Sequence, residues 1–180
     1  MNDYSSTFRL MADLMRQRKV SCILIGGFAV NFYKVSRATA DVDFLITKSD
    51  YDKISDYLIN EGFRLISEHE NFSHFQGAGP GLIGADFMFV DEETFEKIKQ
   101  EGQKLKVGKN EFVVPSLNHL IALKLHSMKF NFKDRLAKDF PDVIGLIRTN
   151  NVDIRRKDFK TLCLKYGSDE IYNKILEVLT

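Results

Sequence analysis

The sequence predicts an α+β (α/β) fold, with a small mixed β-sheet in residues 1–115 and a C-terminal helical lobe in residues 116–180 packed on that core. Three observations lead there. The apolar runs 42–47 and 82–90 read as strands, and each has aspartate set among residues that belong in a core. Strand-like and helix-like spacings alternate up to Pro115. From Ser116 onward the apolar spacing is helical alone. A chain of 180 residues supports one full core plus a small lobe, but not two large domains.

The elements follow in order. Phe8, Met11, Leu14 and Met15 recur at helical spacing and predict an amphipathic helix ending near Lys19. A strand over 21–25 leads into the Gly26-Gly27 turn, a short helix over 28–33 and a strand over Val42–Thr47. Ser49 or Asp50 is positioned to cap a helix that runs through Ile59 and closes at Gly62. Residues 63–66 and 72–75 read as strands, and the glycine-rich 77–81 as a flexible turn before the Asp86 strand. Asp91-Glu-Glu-Thr starts a further helix, and 105–107 with 111–114 form a hairpin around Gly108-Lys-Asn. Helices follow near 116–129, 133–148, 155–165 and 169–179.

The chemistry concentrates between residues 23 and 47. Asp41 and Asp43 flank Val42, and in a strand residues i and i+2 share a face. Both carboxylates therefore project side by side while Val42 and Phe44 face the core. Like charges held this close either raise the pKa of one carboxyl or recruit a cation, and oxygen-only ligands on a rigid element suit Mg²⁺. Asp86 places another carboxylate in a second core-like strand, and charged side chains are almost never buried unpaired. The three aspartates are thus read as one shared site.

The order Gly26-Gly27, then Arg37-Ala-Thr-Ala-Asp41-Val-Asp43, then Asp86 resembles the nucleotidyltransferase superfamily of polymerase-beta-like fold. That family carries a Gly followed by Gly or Ser, an Asp-x-Asp between apolar neighbours, and a distant acidic residue on a later strand. The segments Pro115-Ser-Leu-Asn-His-Leu-Ile-Ala-Leu-Lys124-Leu-His126 and Arg135-Leu-Ala-Lys138-Asp139-Phe-Pro-Asp142 resemble the helices of its AbiEii-like toxin branch. The resemblance implies transfer of a nucleoside monophosphate from an NTP, dependent on Mg²⁺ (or Mn²⁺), to an RNA, protein or small-molecule acceptor. It also implies an antitoxin as partner. Asp41 and Asp43 would ligate two ions, with Asp86 completing the ion beside the acceptor and helping to deprotonate it. Gly26 and Gly27 would let backbone amides approach the triphosphate. Arg37, Thr39, Lys124 and Lys138 complete the nucleotide-binding candidates. Lys124 lies inside the apolar run Leu120-Ile-Ala-Leu-Lys-Leu125, so its ammonium is expected to reach the phosphates from the helical lobe. By spacing, Lys138 and Asp142 share a helix face and form a candidate ion pair.

Other readings rank lower. A haloacid-dehalogenase-like phosphatase expects a strand ending at its first Asp, whereas here both carboxylates open the strand. A silent nucleotide-binding or toxin–antitoxin module of the same fold would gain nothing from keeping clustered carboxylates. The net charge of +1 gives no basic footprint for nucleic acid. The 77–81 turn lacks the Lys-Ser/Thr of a phosphate loop. No apolar stretch is long enough to span a bilayer, and the N-terminus lacks a signal-peptide core, so a cytoplasmic protein is expected. Cys22 and Cys163 lack metal or disulfide spacing and are expected to be buried apolar residues. His69, His74, His119 and His126 show no metal-ligand spacing, and His126 is read as a structural histidine ahead of one that lines the cleft.

Overall fold

The computed structural model describes residues 6–79 and 81–180, which fall into two compact units. One comprises the residues up to Ala29 together with Ala38–Ser116. The other joins Val30–Arg37 to Leu117–Thr180.

In the first unit, α1 (Thr7–Arg18) opens with Ser6 accepting a hydrogen bond from the Arg9 amide and ends at Lys19 in the left-handed conformation. Then follow β1 (Ile23–Leu24), α2 (Gly26–Phe32, whose last turn belongs to the second unit), β2 (Val42–Thr47), α3 (Lys48–Tyr51) and α4 (Ser55–Asn60). The unit continues with β3 (Phe63–Glu68), β4 (Phe72–Gly77), β5 (Ala85–Val90), α5 (Glu92–Gln100), β6 (Gln103–Val107) and β7 (Asn110–Val114). The seven strands make one mixed sheet of order β3-β4-β5-β2-β1-β7-β6, with β2 and β5 parallel neighbours near its middle. Aromatic rings fill one face: Phe44 stacks on Phe87 at 5.6 Å between centroids, and Phe75 and Tyr51 contact Phe87 at 5.8 and 5.7 Å. Each such side chain, when fully buried, contributes roughly 1.5–3 kcal/mol.

Two local expectations change. The helix anticipated from Ser49 or Asp50 through Ile59 is two short helices. Thr47 provides the cap by accepting from the Asp50 amide, while the Asp50 carboxylate accepts instead from the Ser21 amide and Lys53. The chain tightens at 52–54, where the Lys53 and Ile54 amides donate three residues back to Asp50 and Tyr51. Strand β1 is shorter than the expected 21–25, since that same Ser21 amide is drawn to Asp50 rather than to a strand. The anticipated 77–81 turn includes Pro80, which lies outside the described residues, as do residues 1–5 of the N-terminus.

The second unit contains α6 (Leu117–Phe130), α7 (Phe132–Thr149), α8 (Lys157–Tyr166) and α9 (Asp169–Leu179), close to the helices read from spacing. Leu120, Ile121, Leu125, Val143, Leu146, Cys163, Ile171 and Ile175 form its core. The stretch Val30–Arg37 joins this unit through contacts on α7. Val35 occupies the space beside Gly145 where a side chain would stand, Asn150 donates to the Tyr33 carbonyl, and Arg37 pairs with Asp142. No helix among the described residues is long and apolar enough to cross a membrane.

Candidate active site

Register brings the aspartates together. Asp43 in β2 stands directly opposite Asp86 in β5, with Phe44 opposite Phe87 one residue on. Neighbouring strands lie about 4.8 Å apart, and paired residues point to the same side. Since Phe44 and Phe87 are fully buried, Asp43 and Asp86 share the other face, where both are partly exposed. Asp41, two residues before Asp43, immediately precedes the strand, and the Val42 amide beyond it donates to the Gly84 carbonyl at 2.9 Å.

Glycines make room for two of these carboxylates. Gly26 has φ +60°, and a Cβ there would collide with the Asp43 carboxylate. A Cβ on Gly84 would collide with Asp41 Oδ1. Gly27 faces Thr39 in the same way, and the Thr39 hydroxyl donates to the Asp41 carbonyl at 2.9 Å. Gly26 and Gly27, which open α2 rather than forming a separate turn ahead of a helix at 28, are therefore packed against the aspartate strand and its entering loop, and that loop is tied by Thr39.

One site residue escaped the sequence reading. His74 in β4 stands opposite Asp86, and its Nδ1 contacts Asp86 Oδ1. Its neighbours Ser73 and Phe75 are buried, so strand alternation places His74 on the carboxylate face. Neither that facing nor the pairing of β4 with β5 was visible in the sequence, since polar Ser73 is the buried residue and apolar Phe72 the exposed one.

No protein-family model matches the sequence, and no curated protein does. Solved structures do match. A nucleotidyltransferase-like protein from Paracoccidioides brasiliensis aligns with a TM-score of 0.57 and 14% identity, over 96% of this chain and 91% of that one. The chain has a nucleotidyltransferase fold. ANT(2")-Ia in complex with adenylyl-2"-tobramycin aligns at TM-score 0.61 and 11% identity, over 86% and 91% of the two chains. A lincomycin-bound lincosamide antibiotic adenylyltransferase aligns at TM-score 0.53 and 13% identity, over 77% and 92%.

On this nucleotidyltransferase fold, carboxylate oxygens are the donor type that suits a hard divalent cation, and Asp43 and Asp86 offer them from adjacent strands, with Asp41 just ahead of the first. Among the described residues, no group of three or more His, Cys, Asp or Glu is gathered closely enough to hold a metal ion. Mg²⁺ commonly keeps waters and takes substrate phosphates as further ligands, so it needs fewer protein carboxylates than a full cage.

The remaining candidate cations lie in the second unit. Lys124 is buried, and its Nζ donates to Asp139 Oδ1 at 3.0 Å and to Asp142 Oδ2 at 2.7 Å. Arg37 Nε pairs with Asp142 Oδ1 at 3.1 Å. Asp142 is thus held by Lys124 and Arg37, where spacing had suggested Lys138. Lys138 is exposed and lines a cavity of about 480 Å³ with Val35, Arg37, Pro141 and Asp142.

Proposed function

We propose that this protein is a divalent-metal-dependent nucleotidyltransferase that moves a nucleoside monophosphate from an NTP to a nucleophile. The observation carrying this reading is the register that sets Asp43 opposite Asp86, with Asp41 two residues before Asp43 at the entry to the strand. In the transfer, an acceptor oxygen attacks the α-phosphorus and the bond from that phosphorus to the α,β-bridging oxygen breaks. Pyrophosphate departs, and the acceptor proton passes to the Asp86 carboxylate. Mg²⁺ or Mn²⁺ held by Asp41, Asp43 and Asp86 would supply positive charge beside the attacking and leaving oxygens. Gly26 and Gly27 offer backbone without side chains near the carboxylates, and Thr39 fixes the loop that carries Asp41.

In the second unit, Lys124 serves as counter-ion to Asp139 and Asp142, and Arg37, itself paired with Asp142, and Lys138 line the cavity. RNA, protein and small molecules are the acceptor classes. Two of the structural neighbours carry tobramycin or lincomycin chemistry, which supports a small molecule first. The AbiEii-like branch and an antitoxin partner belong to the same proposal, on the C-terminal helices alone. Thermal shift tests the metal and nucleotide reading. Mn²⁺ with NTP should raise the melting temperature of the wild type but not of Asp43→Asn, and equal stabilisation of both would sink it.

A further inference from the structure

His74 completes a row across three adjacent strands, with Asp43 on β2, Asp86 on β5 and His74 on β4 all in register. Side-chain exposure of 33% for His74 and 36% for Asp86 leaves the pair at the open edge of the site. An ionised carboxylate only accepts hydrogen bonds, so a hydrogen bond from His74 to an ionised Asp86 requires the hydrogen on Nδ1, the ring nitrogen in contact. An aspartate without such a partner would rotate about its broad, two-fold terminal torsion, exchanging its oxygens. Because Ser73 and Phe75 are buried on the opposite face, β4 itself aims the imidazole at Asp86.

We propose that His74 is a positioning residue: it donates from Nδ1 to Asp86 Oδ1, fixing that carboxylate so that Oδ2 is the oxygen offered to the cation and to the acceptor. This rests on Asp86 being the third carboxylate of the proposed transferase. His74 itself contacts neither the cation nor the substrate. Its effect is that of an outer partner that orients a ligating carboxylate, and loss of such a partner typically costs 10–100-fold in metal affinity or activity.

Two measurements on the full chain test the assignment. Long-range ¹H–¹⁵N NMR of the metal-free protein should find hydrogen on Nδ1 of His74; hydrogen on Nε2 alone overturns the assignment whatever the metal does. Mn²⁺ titration followed by electron paramagnetic resonance should show affinity falling about 10–100-fold in His74→Leu. His74→Asn, whose Nδ2 falls near the position of Nδ1, should restore most of it. With an acceptor in hand, His74→Leu should lower kcat while leaving KM for NTP nearly unchanged. Wild-type Mn²⁺ affinity in His74→Leu, or no restoration by His74→Asn, overturns the proposal. The triad reading fails separately, through a wild type without Mn²⁺ affinity or an Asp43→Asn variant that keeps it. Failure of that kind removes the positioning role as well, even with hydrogen on Nδ1.

Discussion

Replacing Lys124 by methionine keeps much of the side-chain volume but removes an ammonium that sits 3.0 Å from one buried carboxylate and 2.7 Å from another. The side chains of Asp139 and Asp142 are each only 6% exposed, so water cannot easily replace the lost charge. Breaking a buried pair by removing one partner typically costs about 3–5 kcal/mol, because an uncompensated charge stays behind. Asp142 keeps Arg37 at 3.1 Å, so the larger share of the loss falls on Asp139. At roughly 2–4 °C per kcal/mol for a chain of this size, the melting temperature should drop by about 6–20 °C. Urea denaturation gives the free energy directly. Adding Asp139→Asn to the Lys124→Met background should recover part of the loss, because the stranded charge goes with it. A single-variant loss below about 1 kcal/mol, or a double variant worse than the single, would refute the account of Lys124 as counter-ion to this pair.

Gly26→Ala and Gly108→Ala both place a side chain at φ near +60°, costing about 1–2 kcal/mol each, but only the first collides with Asp43. Thermal shift should therefore show loss of Mn²⁺ and NTP stabilisation in Gly26→Ala and its retention in Gly108→Ala; equal behaviour would count against the packing of that turn on the site. Burial raises the thiol pKa of Cys163 to about 12 and pushes Cys22 up as well, with Asp50 adding to the shift for Cys22. Neither thiol should react with a disulfide reagent at pH 8 until the chain is unfolded, and rapid native labelling would contradict their burial. The Glu68 carboxyl is held below its ordinary value by the Tyr51 hydroxyl first and by Lys48. The unfolded chain then takes up that proton first as pH falls, so this contribution is full above the usual carboxylate range and is lost through and below it. Glu68→Gln should flatten the stability curve there, and an unchanged acid slope would contradict the bonding.

Strand β2 and the helices after Pro115 were legible because their apolar period is long and unbroken, and the Asp91 cap and the β6–β7 hairpin carry strong local signals. The side of β2 that carries Asp43 was legible too, since Asp43 between the buried Val42 and Phe44 obeys strand alternation by itself, whereas Asp41 stands ahead of the strand. What the sequence left open depends on pairing between distant segments. The opposition of Asp43 and Asp86 needs the register of β2 on β5, and the part played by His74 needs β4 on β5. Lys124 shows the same limit: an apolar run with one lysine fits a side chain reaching outward, and only the fold brings Asp139 and Asp142 to its ammonium. The break between α3 and α4 comes from Asp50, whose carboxylate is taken by the Ser21 amide 29 residues away in sequence.

Incubation with NTP labelled at either the α- or the γ-phosphate, in the presence of Mg²⁺ and cell lysate, tests nucleotidyl transfer most directly. The account predicts that α-label becomes covalently attached to RNA, protein or a small molecule, that γ-label leaves in pyrophosphate, and that Asp43→Asn attaches neither. Transfer of γ-label, or α-label attachment that survives Asp43→Asn, would contradict it.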